Sequence, residues 1–473
     1  MRRQINQKKN NGITLIVLVI TIIVLLILAG VSIVTLTGDN GILTKASEAR
    51  EQAEVAGEKE AIGIAYNGVM ANHLRSEVSY TDLQTELRKN GYNATVTDNG
   101  NGTLRVFFED TQNAYKVENG VISEYIVTEQ KMNLETGTIQ TINSETKEII
   151  GEEKVAILKT MKFSTSATEI YFMDSGEQSD PKQYLIDTYG IDETNIENIA
   201  YNDNCLPVYM GNNGTIYYVA SQGNTYLNSE EEGGGYCLFG RTGAPMIPAL
   251  QSLIKLDLTN LNTTYATNMA YMFAKAGHKA YTTGEYLKIT YGSNFDTSNV
   301  LTMESMYAYV GIKNIILPDS FNTIKVTNMS YMFRGYTSRS MLETIDVGKN
   351  FNTSNVTNMS DMFLYCGMDT LISIDLGEKF DTSQVTNMNS MFFACSYVLP
   401  SLNLGKKFNT TNVTEHTNMM MGCGREELTE IIYEDTIANF QTNCEILISA
   451  LGNSPFDNWD YKVTCTDGEY SVK

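Results

Sequence analysis

Side chains that could perform acid–base or nucleophilic chemistry are few and scattered along this sequence. The 473 residues include only three histidines, His73, His278 and His416, so most of the chain lacks the commonest general base. The sequence has no His-Glu-x-x-His motif, no Gly-x-Ser-x-Gly turn and no glycine-rich phosphate loop. We therefore predict that the protein is not an enzyme and that it holds no cofactor and no metal ion.

Seven cysteines are the other reactive residues. Cys366, Cys395 and Cys423 recur at one position of a repeat, which predicts small buried side chains in a stacked core. Neighbouring strands lie about 5 Å apart, so a disulfide within this column remains an alternative. Cys444 and Cys465 flank the single tryptophan and form a candidate disulfide in the C-terminal part. No Cys-x-x-Cys spacing occurs, which argues against a zinc site.

The strongest pattern is a repeat that fills much of the second half of the chain. A methionine and a following aromatic residue return every 26 to 34 residues, and an Asn or Asp followed by Thr lies ten residues before each methionine. Such self-similarity indicates a stacked repeat architecture. We predict that the repeat core contains Met272, Phe273, Met306, Met332, Phe333, Met362, Phe363, Met391 and Phe392, with a degenerate sixth copy at Met419 and Met420.

Each repeat is expected to contain a short strand, a turn and a short helix. The predicted strands are Leu287–Tyr291, Asn314–Leu317, Thr344–Val347, Ser373–Leu376 and Ser401–Leu404. Met329, Met332 and Phe333 have helical spacing, which predicts a helix in each copy. One such unit cannot bury its own apolar face, so the repeats must stack. The Asn/Asp-Thr pairs are then expected to form side-chain ladders that satisfy backbone groups of the loops.

These repeats resemble a known family. The run from Phe351 to Phe363, Phe-Asn-Thr-Ser-Asn-Val-Thr-Asn-Met-Ser-Asp-Met-Phe, closely resembles the repeat of the BspA-like leucine-rich-repeat surface proteins. The resemblance covers about residues 250–425. It implies a solenoid with terminal caps that is displayed on bacterial surfaces and used for adhesion.

The N-terminal segment is apolar. Residues 13–36 carry no charge, and four basic residues precede them. A helix of this length spans about 36 Å at about 1.5 Å per residue, which is enough for a hydrocarbon core of about 30 Å. The basic residues favour the cytoplasmic side, so the remainder is expected outside the cell. A cleaved secretory signal is the alternative, but its apolar region is usually shorter.

The residues before this segment carry a second resemblance. A basic leader ending in Gly12, directly before Ile13, resembles the signal of type IV prepilins over about residues 1–75. It implies cleavage between Gly12 and Ile13 by a prepilin peptidase, and other pilin-like subunits as partners. Val17 stands where that family carries Glu, which favours a minor subunit or a simple anchor over a major pilin.

The predicted fold class is α+β: a pilin-like N-terminal transmembrane helix with a small β head, followed by a leucine-rich-repeat-type α/β solenoid with terminal caps. The expected strands of the head are Ala94–Thr97, Thr103–Glu109, Ala114–Glu118 and Val121–Val127. The predicted segments are a basic leader (1–12), a transmembrane helix (13–36), a helical stalk (37–76), a helix-plus-meander head (77–127), a polar linker (128–159), an N-terminal cap (160–248), six repeats (249–425) and a C-terminal cap (426–473).

The net charge of the chain argues against some classes of function. The chain has 34 basic and 55 acidic residues and a net charge of −21, which argues against nucleic acid as a partner. We expect a bacterial surface binding or adhesion protein, held by the membrane through residues 13–36 or associated with a pilus, whose ligand is an extracellular protein or glycan. The alternative is a minor pilin or pseudopilin of a type IV pilus or type II secretion-like filament. Exposed residues that vary between repeats, such as Arg334, Tyr336 and Arg339, are candidate ligand contacts.

Overall fold

The computed structural model describes the chain from residue 42 onwards. The described part excludes residues 74–77, 99–101, 112, 126–127, 145, 160–162, 177, 179, 228–237, 240–248, 338–340, 425–429, 453–460 and 473. The chain divides into two compact units. The first comprises the residues up to 128 together with 143–147, and the second comprises 129–142 and 148–473.

Helices are few and strands are short. The helices of the described residues are α1 (Ile42–His73), α2 (Tyr80–Lys89), α3 (Pro181–Tyr189), α4 (Ala280–Thr283), α5 (Ile437–Asn443) and α6 (Glu445–Gly452), with one 3₁₀ turn at Glu193–Asn195. The strands are β1 (Ala94–Asp98), β2 (Thr103–Phe108), β3 (Ala114–Glu118), β4 (Val121–Glu124), β5 (Thr128–Asn133), β6 (Thr138–Asn143), β7 (Ile149–Lys154), β8 (Ala156–Ile157), β9 (Glu169–Asp174), β10 (Ile196–Asn198), β11 (Val208–Asn213), β12 (Ile216–Ser221), β13 (Thr225–Tyr226), β14 (Lys255–Leu258), β15 (Leu261–Asn262), β16 (Lys288–Tyr291), β17 (Asn314–Ile316), β18 (Thr344–Asp346), β19 (Ser373–Asp375), β20 (Ser401–Asn403), β21 (Glu430–Ile432), β22 (Tyr461–Cys465) and β23 (Gly468–Val472).

The first unit packs two helices on an antiparallel meander of β1 to β4. Helix α2 begins after Ser79, whose hydroxyl oxygen accepts the backbone N–H of Asp82 at 3.1 Å. The shared core contains Ile62, Ala65, Leu83, Leu87, Val96, Val106 and Val117. Glu58 of α1 is buried, and its carboxylate accepts hydrogen bonds from the Asn113 amide at 2.8 Å and the Tyr115 hydroxyl at 2.6 Å. These bonds offset the desolvation of the carboxylate.

The second unit begins with a three-stranded antiparallel ribbon, β5-β6-β7. A six-stranded mixed sheet follows in the order β10-β11-β12-β9-β14-β16, in which the last four strands run parallel. Strands β8, β13 and β15 form a separate small parallel sheet. The remaining repeat strands form the parallel sheet β17-β18-β19, and β20 and β21 continue into the C-terminal hairpin β22–β23.

Threonine and asparagine side chains connect each repeat to the next. Parallel bridges join one position of all six copies, in the order Asn268, Thr302, Asn328, Asn358, Asn387 and Glu415. Each of the first five threonines of the column donates from its hydroxyl to a carbonyl of the following repeat at 2.7 or 2.8 Å: Thr263 to Asp296, Thr297 to Asn322, Thr323 to Asn352, Thr353 to Asp381 and Thr382 to Asn409. We call this row the threonine ladder. It confirms the predicted use of these side chains to satisfy backbone groups of the loops.

The helix predicted in each repeat is wrong. In the third copy, the N–H of Met332 donates to Met329 O at 3.3 Å within the repeat, whereas the N–H of Tyr331 donates to Ser360 O of the next repeat at 2.9 Å. Tyr331 has φ 61°, in the left-handed region that an α-helix excludes. The same position is left-handed in the other copies, at Tyr271, Ser305, Asp361, Ser390 and Asn418. Alternate N–H groups thus bond between repeats and not along a helix.

The predicted fold class is therefore corrected. The described residues form mostly short strands in small sheets, and within 249–424 they contain a single helix of four residues, α4. A leucine-rich-repeat-type α/β solenoid of alternating strands and helices is not what this chain forms. The apolar residues of the repeats meet in a common core that also includes the six-stranded sheet.

The predicted membrane location is also contradicted. Among the described residues, none of the helices combines the length and the apolar character that crossing a bilayer requires. The longest, α1, carries many charged residues, Glu54, Glu58, Lys59 and Glu60 among them. The single-pass location and the prepilin-type and transmembrane classification are therefore not supported. Residues 13–36 and the processing site at Gly12 and Ile13 lie outside the described residues.

Candidate functional site

The residues that follow the repeat methionines place side chains from three copies on one edge of the stack. Lys275 and Tyr309 each follow their methionine by three residues, and Arg334 and Tyr336 follow Met332 by two and four. Backbone bonds fix their spacing: the N–H of Lys275 donates to Ala308 O at 2.9 Å, and that of Tyr309 donates to Arg334 O at 2.7 Å. With His278, these residues form what we call the aromatic–basic cluster.

Tyr309 lies at the centre of the cluster. The Lys275 ammonium nitrogen is 5.3 Å from the centre of the Tyr309 ring, and the Arg334 guanidinium carbon is 5.5 Å from it. The Tyr336 ring centre is 4.3 Å from that of Tyr309. Two cations thus contact one aromatic ring, an arrangement in which the ring quadrupole attracts positive charge.

His278 extends the cluster towards Tyr281. Its ring stacks on Tyr336 with centres 4.4 Å apart, and it lies 4.7 Å from Tyr281. Burial lowers the pKa of His278, and the charge of Lys275 lowers that pKa further, so the neutral imidazole is favoured. The Nδ1 atom of this ring is buried without a hydrogen-bond partner. The imidazole therefore has capacity for a further polar contact.

Arg334 is the second side chain with a spare polar atom. Its Nε is buried without a hydrogen-bond partner, and its guanidinium carbon is 5.2 Å from the Tyr331 ring. Burial raises the pKa of the neighbouring Asp361 carboxyl, while the Arg334 charge and a hydrogen bond from Tyr331 oppose that rise. The Arg334 guanidinium thus contacts aromatic rings and interacts electrostatically with one carboxylate, and part of its hydrogen-bond donor capacity is unused.

A small cavity of about 20 Å³ lies inside the cluster, lined by His278, Tyr309, Arg334, Tyr336 and Cys366. This volume matches about one water molecule. A ligand larger than water must therefore bind on the outer surface, where the cluster residues are partly exposed. Stacking rings and cationic donors on one surface are suited to the faces of sugar rings and to anionic substituents.

The residues predicted to form the repeat core occupy one buried row. Met272, Met306, Met332, Met362 and Met391 are fully buried. The aromatic rings beside them stack in order, with centres 5.2 Å apart from Phe273 to Tyr307, 5.9 Å from Tyr307 to Phe333, 5.4 Å from Phe333 to Phe363 and 5.2 Å from Phe363 to Phe392. This row is buried and does not contribute to the exposed surface of the cluster.

The six cysteines of the described residues are buried thiols. Cys444 and Cys465, the candidate disulfide, are both free, and burial together with the nearby Cys465 raises the pKa of Cys444 to about 12. Cys366, Cys395 and Cys423 are also free and buried. Burial raises the pKa of Cys366, so its reactive thiolate is disfavoured. Within the described part of the chain, no group of three His, Cys, Asp or Glu side chains could hold a metal ion.

Sequence reasoning found only part of the cluster. Arg334 and Tyr336 were among the expected ligand contacts, and Arg339 lies outside the described residues. Lys275, His278 and Tyr309 were missed. Lys275 and Tyr309 both lie three residues after the methionine of their repeat. Because successive repeats stack in register, this shared position could have indicated that the two side chains are neighbours.

Comparison with known proteins adds a family match for the repeats. Residues 246–371 and 312–431 match the family described as Mycoplasma protein of unknown function, DUF285. No curated protein and no solved structure matches the chain. The repeat region that carries the aromatic–basic cluster is therefore similar to a family whose description assigns no function.

Proposed function

We propose that this protein is a binding protein without enzymatic activity, and that its ligand is an anionic glycan bound at the aromatic–basic cluster. The observation that carries the proposal is the convergence of Lys275, Tyr309 and Arg334 on one edge of a chain whose net charge is −21. A local group of positive charges on a protein with a net negative charge attracts an anionic group of a ligand and orients it.

The aromatic rings favour a glycan over a simple anion. The partly exposed portions of Tyr309 and Tyr336 that their neighbours leave uncovered offer apolar surface for sugar C–H groups, and Arg334 supplies planar donors for a carboxylate or sulfate. The resemblance to the BspA-like surface proteins supports adhesion as the biological use. The pilin alternative depends on residues outside the described part of the chain.

A titration tests the proposal directly. The probe is a hexasaccharide of galacturonate, and the control ligand is the neutral galactose hexamer. We expect saturable binding of the acidic sugar, and at least about tenfold weaker binding when Arg334→Gln or Tyr309→Ala removes a cation or a ring. Lys349→Gln, which changes an exposed lysine paired with Asp319 elsewhere on the repeats, should leave affinity unchanged. Equal binding of the two hexasaccharides, or no loss in the cluster variants, would refute the proposal.

A further inference from the structure

The strands of the repeats do not form one continuous ladder. β16 is the edge strand of the six-stranded sheet, and β17 is the edge strand of β17-β18-β19. On the other side the same two repeats remain joined, because Thr302 bridges to Asn328 and the Thr297 hydroxyl donates to Asn322 O at 2.8 Å. The strand side is also interrupted between β19 and β20, which belong to different sheets. Between β16 and β17 the two facing edges remain unpaired, next to a backbone bond from the N–H of Leu287 to Gly311 O at 2.9 Å.

Two features of the sequence explain the break. Ile315 of β17 follows Met306 by nine residues, whereas the equivalent strand residue follows its methionine by 11 to 17 residues in the other copies. In addition, Tyr291 occupies a position that holds Leu or Val in the later copies. Its hydroxyl is 2.6 Å from the hydroxyl of Tyr307, itself a tyrosine where the other complete copies carry Phe. A short connection and a bulky pair thus separate the strands.

A cleft of about 360 Å³ lies at the break. Its apolar lining comes from Tyr286, Ile289, Tyr291, Tyr307, Ile315 and Ile316. Ile316 is 64% exposed, which is unusual for so large an apolar side chain on a strand edge. This volume is far larger than one water molecule and accommodates several side chains.

The strand edges direct backbone groups into this cleft. The N–H of Lys288 donates to Ile254 O at 3.0 Å on the β14 side, and the N–H of Leu317 donates to Asp346 O at 2.9 Å on the β18 side. Because the backbone groups of successive residues point to opposite sides of a strand, those of Ile289 and Ile316 point towards the cleft. Among the described residues, no ladder bond joins β16 to β17.

We propose that the cleft binds an extended peptide segment of a partner protein, which pairs as an added strand with β16 and β17. An extended backbone supplies donors and acceptors on both of its sides, which is what two facing edges require. Alternate apolar side chains of the peptide would pack on Ile289 and Tyr291.

The charges at the rim select an acidic peptide. Lys288 and Lys313 border the cleft. Lys288 forms no ion pair within the described part of the chain, and Lys313 pairs with Glu343 at 3.0 Å in a largely exposed contact that stabilises little. Glutamates on the outward positions of the added strand would lie near both lysines. The proposal is independent of the glycan site, with which the cleft shares only Tyr307.

The test uses the full chain and a fluorescein-labelled peptide, Gly-Glu-Val-Glu-Val-Glu-Gly. We expect saturable binding by fluorescence anisotropy, together with slower amide hydrogen exchange at Ile289 and Ile316. A peptide with N-methylated valines keeps the side chains but loses two backbone donors, and should bind at least about tenfold more weakly. Lys288→Glu combined with Lys313→Glu should weaken binding of the unmethylated peptide by a similar factor.

The matched control is Lys349→Glu combined with Lys379→Glu, which reverses two exposed lysines of later repeats and should leave affinity unchanged. Equal binding of the methylated peptide would overturn strand pairing as the mode of recognition. The peptide is tested up to about 1 mM, a concentration far above the typical dissociation constant of such motifs. Unchanged amide exchange at Ile289 and Ile316 under these conditions would overturn the site itself.

Discussion

The two sides of each repeat differ in how regularly they connect to the next. On the side of the threonine ladder, all six copies are joined, and the hydroxyl-to-carbonyl distances between successive copies stay at 2.7 or 2.8 Å. On the strand side, the ladder is broken between β16 and β17 and again between β19 and β20. The same repeats therefore stack with one constant surface and one variable surface.

This difference has a physical cause. Each threonine hydroxyl is buried and satisfies a backbone group of the next copy, so losing it leaves a buried polar group without a partner. The strand side has no such requirement, because its edge groups can bond to water or to a partner. Binding surfaces are therefore expected on the strand side and at the turn edge of the repeats, where residue types vary.

The largest expected effect lies in the core between the two sides. Phe363 is fully buried and stacks between Phe333 and Phe392. Phe363→Ala should lower the free energy of unfolding by about 3–5 kcal/mol, because it leaves a cavity that both neighbouring repeats line. Denaturant unfolding of the full chain measures this. Phe393→Ala, at a partly exposed ring, is the control and should cost far less. Equal costs would contradict the position of Phe363 in a core shared with both neighbouring repeats.

Buried threonines of the ladder should contribute more to stability than exposed threonines beside it. The Thr353 hydroxyl donates to Asp381 O at 2.7 Å and accepts the Asp381 N–H at 2.7 Å. Thr353→Val keeps the shape but removes both bonds, so we expect a loss of about 1–3 kcal/mol in the free energy of unfolding. Thr357→Val removes one exposed bond to Thr327 O at 3.3 Å and should cost about 0.5 kcal/mol or less. A reversed order would mean that the ladder does not hold the stack together.

The strand positions of the repeats could be predicted from the sequence. Alternating apolar residues placed strands at Asn314–Leu317 and Thr344–Val347, and the structure has them at Asn314–Ile316 and Thr344–Asp346. The threonine column was predicted equally well. Both patterns are local or repeat at constant spacing, so a single sequence contains the information that defines them.

The turns after each methionine could not be predicted in this way. Met329 and Met332 have helical spacing, but spacing does not report whether an N–H bonds within its own repeat or to the next one. The left-handed residues at Tyr331 and Asp361 are stable only because the neighbouring repeats supply carbonyls such as Ser360 O. The aromatic–basic cluster was partly missed for the same reason, since its residues belong to three different copies.

The smallest expected effect concerns the hydrogen-bonded tyrosine pair at the break between β16 and β17. Tyr291 and Tyr307 share one hydrogen bond at 2.6 Å, and burial raises the pKa of both phenols, so both stay neutral in the folded state. Tyr291→Phe or Tyr307→Phe alone should cost about 1–2 kcal/mol, because each leaves the other hydroxyl without its partner. The double variant should cost less than the sum of the two, and denaturant unfolding of all four proteins gives the coupling energy. Because the folded-state pKa values are raised, the contribution of these two phenols to the free energy of unfolding should be constant below a pH of about 10 and should fall above it, as the unfolded phenols ionise. The double variant should lose much of this alkaline decline. Additive single effects, or an unchanged alkaline decline in the double variant, would mean that the pair does not hold the two strand edges apart.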